Sequence, residues 1–221
     1  MKITELDELV DKLPKVPEIQ GRQDFFNSAV IVPFIEIEHE IHLLFEKRAA
    51  NIRQASEICF PGGKYDPDTD KSYQDTAIRE TVEEIGLQKN QIDVFGRLNT
   101  LITPMGVIVE TFPALINIDA LDVLNINHQE VEKVFTVPIA QFQNADPDLY
   151  HVRVEIQPTV IDQNGNNQTL FPAQKLGLPD KYHQPWGGNN MRILVYNTEH
   201  ETIWGITAEI IFNLIQLLNK K

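Results

Sequence analysis

The sequence predicts a mixed α/β fold in a single domain that spans residues 1–221. Short stretches rich in Val, Ile, Leu and Phe are separated by brief polar turns, a pattern typical of strands that pair in hairpins. Only a few stretches carry apolar residues at helical spacing, and they do not alternate with the strands as they would in a regular βαβ fold. The 221 residues, 42% of them hydrophobic, suffice to bury one substantial core.

The N-terminal elements are predicted to be a helix and a strand hairpin. Residues 4–13 place leucine and valine at helical spacing, and prolines then end the pattern, so we expect an N-terminal helical extension within about residues 1–20. Residues 28–38 and 42–48 are predicted to be adjacent strands, because each is rich in apolar residues and the sequence between them is short and polar.

A helix with recognisable ends follows. Residues 49–70 are predicted to be irregular, and residues 72–85 to be helical. Asp70 or Ser72 is placed to cap the first turn, where a side-chain oxygen accepts a hydrogen bond from a free backbone N–H. Gly86 is placed to cap the last turn, since glycine readily takes the left-handed conformation needed there.

The rest of the chain supplies further strands, a hairpin and two helices. The predicted strands cover residues 94–102, 106–118, 131–137, 150–156 and 191–196. A short helix is expected to begin at Ala140, and Asn164-Gly165 is a hairpin signal. Residues 172–190 are rich in Pro, Gly and Asn and should form a surface loop. A C-terminal helix is expected over about residues 201–219, and its apolar stripe is assigned to packing. That stripe consists of Ile203, Trp204, Ile206, Ile210, Ile211 and Leu214.

The charge balance bears on the class of ligand. Nineteen Lys and Arg residues against 32 Asp and Glu give a net charge of −13, which disfavours binding to nucleic acid or to anionic membranes. An anionic substrate would therefore need a metal ion. The sequence has no run of eighteen apolar residues and no basic, apolar start, so we expect a cytoplasmic protein without a membrane segment. The one cysteine, Cys59, cannot form an internal disulfide.

Three glutamates indicate a site for a cation. On the predicted helix, Glu80 faces Glu83 and Glu84 at spacings of three and four residues. At ~5 Å and an effective dielectric of about 20, each like-charged pair repels by roughly 3 kcal/mol. Hard divalent cations such as Mg²⁺ or Mn²⁺ bind carboxylate, carbonyl and water oxygens, and so would relieve this repulsion. Gly62 and Gly63 precede the helix and would let the backbone approach an ion or a phosphate closely.

An isolated glutamate triplet is more often a solvated helix face, but its surroundings here favour a site. The sequence of residues 62–87 carries, after Phe60-Pro61, two glycines, Arg79-Glu80, Glu83-Glu84 and Gly86-Leu87. In these residues it resembles the box that defines the Nudix hydrolases. The resemblance implies an α/β/α sandwich around a mixed sheet, and water-dependent cleavage of a diphosphate bond with Mg²⁺ or Mn²⁺.

The resemblance also implies roles for individual residues. Glu80 and Glu84 would be the principal metal ligands, and Glu83 would support a further metal or the attacking water. Gly62 would offer its carbonyl oxygen to the metal, and Arg79 would orient the carboxylates. The spacing from Gly63 to Arg79 is longer than usual, because residues 66–70 form an insertion. The aspartates of that insertion resemble a calcium loop, but a lysine and an alanine stand where such a loop needs glycine and glutamate.

The sequence around the box bears on the substrate. Residues 43–63 resemble the signature of the coenzyme A pyrophosphatases, in which two arginines precede the Phe-Pro-Gly-Gly motif, and residues 203–211 resemble the C-terminal helix of that subfamily. This implies cleavage of coenzyme A to 4′-phosphopantetheine and adenosine 3′,5′-bisphosphate. Arg48, Arg53 and Lys64 would then bind the phosphates that the metal does not hold.

The sequence leaves open the general base, the substrate and whether the protein is catalytic. The general base could be Glu83, Glu110 or Glu130, because family members draw it from the helix or from a later loop. The substrate could instead be ADP-ribose, a dinucleotide or another nucleoside diphosphate derivative. The protein could also be a module that binds a nucleotide and regulates a partner without catalysis, but the intact glutamates disfavour this function. Family members are often dimers, so the resemblance also allows a homodimer.

Overall fold

The structure, a computed structural model, describes residues 10–118 and 120–220. Most of the predicted N-terminal helix lies outside the described residues. The part of it that is described, residues 10–12, is helical. Within the described part of the chain, no helix is both long enough and apolar enough to span a membrane.

The centre of the fold is a mixed sheet of eight strands. These are β1 (Phe26–Ile37), β2 (Glu40–Arg48), β3 (Ile58–Cys59), β4 (Gly62–Lys64), β5 (Ile92–Val94), β6 (Leu101–Ile102), β7 (Val107–Ile116) and β8 (Val131–Pro138). The order β3-β2-β1-β7-β5 forms its main path, with β4 paired to β1, β6 to β7 and β8 to β2. Among these described strands, β1 and β7 form the one parallel pair, and the other pairs are antiparallel.

The pairing of β1 creates the place where the site lies. β7 pairs along residues 26–34 of β1, so β2 and β4 must share the opposite edge. The first part of β1 pairs with β4, with Val30 opposite Gly62, and its end pairs with β2, with Phe34 opposite Leu43. Strands β4 and β2 therefore pair with successive parts of the same edge of β1, and an α-helix packs over β1 and β4.

Helices cover both faces of the sheet. They are α1 (Tyr73–Ile85), α2 (Ile139–Asn144) and α3 (Gly205–Leu218). Successive side chains of a strand point to opposite faces, and accordingly Ile31 packs in the apolar cluster that contains α1, whereas Val32 packs in the cluster that contains α3. This is an α/β/α arrangement around a mixed sheet, as the resemblance implied.

A smaller sheet lies beside the α3 layer. It contains β9 (Asp148–Ile156), β12 (Trp186–Asn197) and β13 (Thr202–Trp204), and a separate hairpin joins β10 (Thr159–Ile161) to β11 (Asn167–Thr169). Leu194 and Tyr196 of β12 complete the apolar cluster around α3. The Asn164-Gly165 hairpin prediction is confirmed, with Gly165 at φ 81.

Several predicted boundaries were wrong. Residues 49–70 contain two short strands, β3 and β4, and the predicted surface loop ends at Trp186, where β12 begins. Residues 94–102 are not one strand, because β5 ends at Val94. The next residue, Phe95, lies opposite Pro113 of β7, and a proline has no backbone N–H to donate back to Phe95. Trp204, assigned to helix packing, belongs to β13 and is 47% exposed.

The C-terminal helix begins at Gly205 and not near residue 201. The preceding residues pair with β12, with Val195 opposite Trp204, and a segment committed to a strand ladder cannot also take helical dihedral angles. The predicted stripe is otherwise buried or half-buried, as expected for Ile203 and Ile211, which are fully buried.

Candidate active site

Helix α1 carries the site, and both of its ends are held by local hydrogen bonds. The side chain of Ser72 accepts a hydrogen bond from the backbone N–H of Asp75 at 3.2 Å, so Ser72 and not Asp70 is the N-cap. Gly86 ends the helix with φ 72, and its N–H donates to the carbonyl of Val82 at 3.1 Å. Since the two caps fix where the helix begins and ends, they also fix the rotation of its glutamates relative to the sheet.

Glu84 is the most buried glutamate of α1, at 3% exposure. Its Oε2 accepts a hydrogen bond from the backbone N–H of Gly62 at 2.9 Å, which joins α1 to β4. Burial, followed by the nearby charge of Glu46, raises the pKa of Glu84 to about 9. Near neutral pH this carboxyl therefore keeps its proton unless a positive charge comes close.

Glu46 lies next to Glu84 but comes from strand β2. It is fully buried, and its Oε1 accepts a hydrogen bond from Cys59 Sγ at 3.2 Å. Its Oε2 has no hydrogen-bond partner among the described residues. Burial is the main cause that raises the pKa of Glu46 to about 7, against the opposing hydrogen bond from Cys59.

Sequence reasoning missed Glu46. A signal was present, because Glu46 continues a run of three residues, Leu43 to Phe45, that is apolar on both faces of the predicted strand. A strand that buries both faces buries the next side chain too, and a buried glutamate requires a partner.

Glu80 lies over β4, where the second glycine makes room for it. A Cβ on Gly63 would lie 2.4 to 2.7 Å from the carboxylate atoms of Glu80. Burial raises the pKa of Glu80, and the charges of Glu83 and Glu130 add to that effect, while Arg79 lowers it. The diglycine is thus where the helix and β4 come closest.

Arg79 joins the insertion to the glutamates. Its Nε and Nη2 donate to the two carboxylate oxygens of Asp70, each at 2.9 Å. Its Nη1 lies 2.9 Å from Oε1 of Glu80 and 3.1 Å from Oε2 of Glu83. Arg79 is the main reason that the pKa of Asp70 falls to about 2, with Thr76 as a further donor. Asp70, considered as a helix cap from the sequence, instead holds the arginine that contacts both glutamates.

Two later glutamates were candidates for the general base, and the structure separates them. Glu130 precedes β8, and its charge raises the pKa of both Glu46 and Glu80, so it lies within electrostatic range of these groups. Its backbone carbonyl accepts a hydrogen bond from the N–H of Ala49 at 2.8 Å, which fixes the loop against the end of β2.

Glu110 is engaged elsewhere. It is fully buried on β7, where Arg22 donates to Oε1 at 2.6 Å and both Arg97 and Thr100 donate to Oε2. Burial by itself would raise the pKa of Glu110, but these hydrogen bonds outweigh it, and the pKa falls. Two guanidinium groups therefore hold Glu110 as a carboxylate in an internal ion-pair cluster.

The three basic residues predicted to bind substrate occupy different settings. Arg48 is half-buried at the end of β2, and its charge lowers the pKa of Glu46 and Glu84. Its Nε donates to the backbone carbonyl of Arg53 at 3.2 Å. Arg53 and Lys64 are exposed, the former with its guanidinium 5.8 Å from a phenylalanine ring centroid. Arg48 alone thus adjoins the buried carboxylates.

The acidic side chains form an open arrangement. Across residues 10–118 and 120–220, no three Asp, Glu, His or Cys side chains converge closely enough to hold a metal by themselves. Mg²⁺ is commonly bound through one or two carboxylates, with water and substrate phosphate oxygens as its other ligands. Glu80 and Glu84, with a glycine carbonyl nearby, are the residues that could hold such an ion.

The NUDIX domain family matches residues 25–156, from the start of β1 to the end of β9. The chain belongs to the Nudix family. Nudix hydrolase 3 of Caenorhabditis elegans is 35% identical over 204 residues, which cover 87% of this chain and 74% of that protein. The enzyme is a Nudix diphosphate hydrolase, and Nudix enzymes generally use divalent metal ions.

Two further relatives carry names that include a substrate. The peroxisomal coenzyme A diphosphatase of Mus musculus is 35% identical over 133 residues, covering 56% of this chain and 50% of that protein. The mitochondrial coenzyme A diphosphatase of Homo sapiens is 35% identical over 118 residues, covering 52% and 49%. The chain therefore spans about half the length of these two Nudix proteins.

Proposed function

We propose that this Nudix enzyme hydrolyses the diphosphate bond of coenzyme A or its derivatives to 4′-phosphopantetheine and adenosine 3′,5′-bisphosphate. The observation that supports the proposal is that the half-buried Arg48 lowers the pKa of the buried carboxyls of Glu46 and Glu84 through its charge. This arginine lies in residues 43–63, the segment that resembles the coenzyme A pyrophosphatase signature. The names of the two 35% identical coenzyme A diphosphatases support the same substrate.

The acidic residues fit a divalent cation, which we propose to be Mg²⁺ or Mn²⁺. Glu46 has an unpartnered oxygen and Glu84 a raised pKa, so this buried region has more carboxylate than its donors satisfy. Glu80, Glu84 and Glu83, with the carbonyl of Gly62, would hold the metal. When bound, the ion would neutralise charge on the phosphoryl oxygens and lower the pKa of water at the site.

The other residues would bind, orient and accept a proton. Arg79 would hold Glu80 and Glu83 in place through its Nη1 contacts with both. A base must take the proton of the attacking water as the bridging P–O bond breaks, and Glu83, Glu84 and Glu130 are the candidates, since the first two lie on α1 and the third adjoins Glu80.

The substrate would reach beyond the carboxylates to basic side chains. Arg48, Arg53 and Lys64 would bind the phosphates of coenzyme A, because guanidinium groups match phosphate oxygens in pairs and an ammonium adds a point charge. We also propose that residues 1–221 form one catalytic domain, since α3 and the central sheet share one apolar cluster. A cytoplasmic location and a homodimer stay predictions.

A substrate panel tests the proposal. Purified protein would be incubated with coenzyme A, acetyl-coenzyme A, ADP-ribose and a dinucleoside polyphosphate, each with Mg²⁺ and with Mn²⁺, and the products separated by chromatography. We expect coenzyme A or its thioester to give the highest kcat/KM and to yield adenosine 3′,5′-bisphosphate. A higher kcat/KM for ADP-ribose or for the dinucleotide would refute coenzyme A as the substrate.

Replacing the arginines tests how the phosphates are bound. Because one lost charge-assisted hydrogen bond costs about 1.5–3 kcal/mol, Arg48→Ala should lower kcat/KM for coenzyme A roughly tenfold or more. Arg53→Ala should raise KM and leave kcat nearly unchanged, because that side chain is exposed. Arg153→Ala is the matched control, since Arg153 is an exposed arginine on β9. Unchanged kinetics in both site variants would remove these arginines from the binding model.

A further inference from the structure

Among the residues that the structure describes, two glutamates are fully buried, and they differ in how their oxygens are satisfied. Glu110 receives hydrogen bonds from Arg22, Arg97 and Thr100, which engage both of its oxygens. Glu46 receives one, from the Cys59 thiol to Oε1, and none of the described residues donates to Oε2. A thiol is a weak donor, and an unpaired buried carboxylate oxygen is costly enough to require an explanation.

The strand pairing aims Glu46 at the α1 side of the sheet. Residues two apart on a strand point to the same face, and Leu44 packs in the apolar cluster that contains α1. Glu46 stands opposite Cys59 of β3 and opposite Val134 of β8, which packs against the same cluster. Its side chain therefore enters the layer between the sheet and α1.

In that layer Glu46 lies within electrostatic range of the glutamates already described. It is the charge that most raises the pKa of Glu84, and the charges of Glu80 and Glu130 in turn raise that of Glu46. Cys59 occupies Oε1 and leaves Oε2 unpartnered. One carboxylate from β2 and two from α1 thus approach the same region from opposite sides, with few donors between them.

We infer that Glu46 is a further cation-binding residue, whose free Oε2 acts from the β2 side together with Glu80 and Glu84 of α1, while water and substrate oxygens supply the remaining ligands. This inference rests on the proposed metal-dependent function and extends it to a strand outside residues 62–87. A bound cation would supply to Oε2 the partner that none of the described side chains supplies. Without the cation, the same carboxylate is an unfavourable feature of the fold.

Two matched variants of the full chain test this inference. Glu46→Gln keeps the shape and an acceptor for Cys59 but removes the charge, and Glu110→Gln makes the same change at the other fully buried glutamate. Mn²⁺ binding is measured by titration calorimetry, and Tm is measured in EDTA. We expect Glu46→Gln to weaken Mn²⁺ binding about tenfold, in the range for residues that support a metal site, with a Tm in EDTA no lower than that of the wild type.

The control variant Glu110→Gln should show the opposite pattern of Tm and Mn²⁺ affinity. Glu110→Gln should lower Tm, because two guanidinium groups lose their partner, and it should leave Mn²⁺ affinity unchanged. Cys59→Ser retains a donor to Oε1 and should also retain wild-type affinity. Equal Mn²⁺ affinity in Glu46→Gln and the wild type, an equal loss in either control variant, or no Mn²⁺ binding by the wild type would overturn the inference.

The same samples separate this inference from the substrate proposal. Wild-type turnover of coenzyme A is measured independently of Mn²⁺ binding. Weaker Mn²⁺ binding by Glu46→Gln together with no turnover of coenzyme A would support Glu46 and refute the substrate. Turnover of coenzyme A with unchanged Mn²⁺ binding would support the substrate and refute Glu46.

Discussion

Acidic side chains of the same chemistry behave oppositely at this site because they receive different donors. Asp70 receives two hydrogen bonds from Arg79 and one from Thr76, and Arg79 is the main cause that lowers its pKa to about 2. Glu84 receives one backbone N–H, and burial raises its pKa to about 9. The number and charge of the donors, and not burial alone, therefore decide which carboxyl is ionised in the metal-free protein.

Removing the charge of Asp70 should loosen Arg79. Asp70→Asn is expected to lower the free energy of unfolding by about 1–3 kcal/mol, and to reduce turnover because Arg79 would no longer be fixed beside Glu80. Asp68→Asn, an exposed aspartate of the same insertion, serves as the control. Urea unfolding near neutral pH measures the effect, and equal stability of the two variants would contradict this role.

The pH dependence of that stability has a definite sign. The pKa of Asp70 is lowered in the folded state, so its contribution is complete above the unfolded value of about 3.9 and disappears as the pH falls toward 2. The difference in stability between the wild type and Asp70→Asn should therefore shrink in acid.

The glutamates of α1 should differ in their effect on turnover. Glu84→Gln is expected to reduce kcat by about a hundredfold or more, the order seen when a preorganised charge at a reaction centre is lost. Glu83→Gln should cost less, because Glu83 is half-exposed and shares Arg79 with Glu80. Steady-state rates with Mg²⁺ or Mn²⁺ test this order. Near-normal rates in both variants would show that α1 has no part in the mechanism.

At the scale of elements, the site depends on how closely α1 approaches β4. The two glycines of β4 serve different neighbours. A Cβ on Gly62 would lie 2.3 Å from the carbonyl oxygen of Ala29 and 2.6 Å from the Cα of Val30, whereas the atoms nearest to a Cβ on Gly63 would be those at the flexible end of Glu80. Gly62 also has φ 154, which a side chain rarely adopts. The first glycine therefore permits strand pairing, and the second accommodates the carboxylate.

Alanine at the two positions should separate stability from metal binding. Gly62→Ala is expected to destabilise the protein by about 1–3 kcal/mol, through backbone strain and overpacking. Gly63→Ala should cost less stability but should displace the Glu80 carboxylate and weaken Mn²⁺ binding. Thermal unfolding and calorimetry on both variants test this division. An unchanged Mn²⁺ affinity in a folded Gly63→Ala protein would argue against Glu80 as a ligand.

At the scale of the whole molecule, part of the excess of acidic residues lies where an anionic substrate is proposed to bind. The net charge is −13, and five glutamates adjoin two arginines between α1 and the end of β2. These are Glu46, Glu80, Glu83, Glu84 and Glu130, with Arg48 and Arg79. A polyanion would be repelled from this surface without bound cations, so metal binding and stability should be linked.

The metal-free protein should lose stability as the pH rises. The pKa of Glu84 is raised from about 4.5 to about 9 on folding, so between these values the folded state binds a proton that the unfolded state lacks, and stability from this group falls with increasing pH. In EDTA, Tm of the wild type should fall relative to that of Glu84→Gln between pH 6 and about pH 9. Parallel pH profiles of the two proteins would contradict the raised pKa.

Most features of α1, the helix that carries the site, could be predicted from residues close to each other in the sequence. Asp70 or Ser72 marked its start and Gly86 its end. The diglycine indicated a close approach of the backbone, and helical periodicity placed Glu80, Glu83 and Glu84 within about one turn of each other. The first hairpin was confirmed for the same reason, whereas the mixed sheet was expected from the resemblance to the Nudix box. These features depend on interactions within a few residues, which a single sequence displays directly.

Contacts between distant residues could not be predicted in this way. Nothing in the sequence pairs Asp70 with Arg79 specifically, and Glu110 and Glu130 were equivalent candidates until β7 brought one to Arg22 and Arg97. The strand predicted over residues 94–102 failed because its partner strand presents a proline. In each case the outcome depends on which element packs opposite, and that is a property of the assembled sheet.

The sequence by itself thus determined α1, its C-terminal cap and the spacing of its glutamates, because these follow from local hydrogen bonds and helical geometry, while it left the N-cap open between Asp70 and Ser72. Only the tertiary structure decided that Glu46 of β2 lies beneath them with an unpartnered oxygen, and that Arg48 adjoins the same carboxylates. The physical reason is that burial and charge proximity arise from the pairing of β2 with β3 and β8 and from the packing of α1 over the sheet.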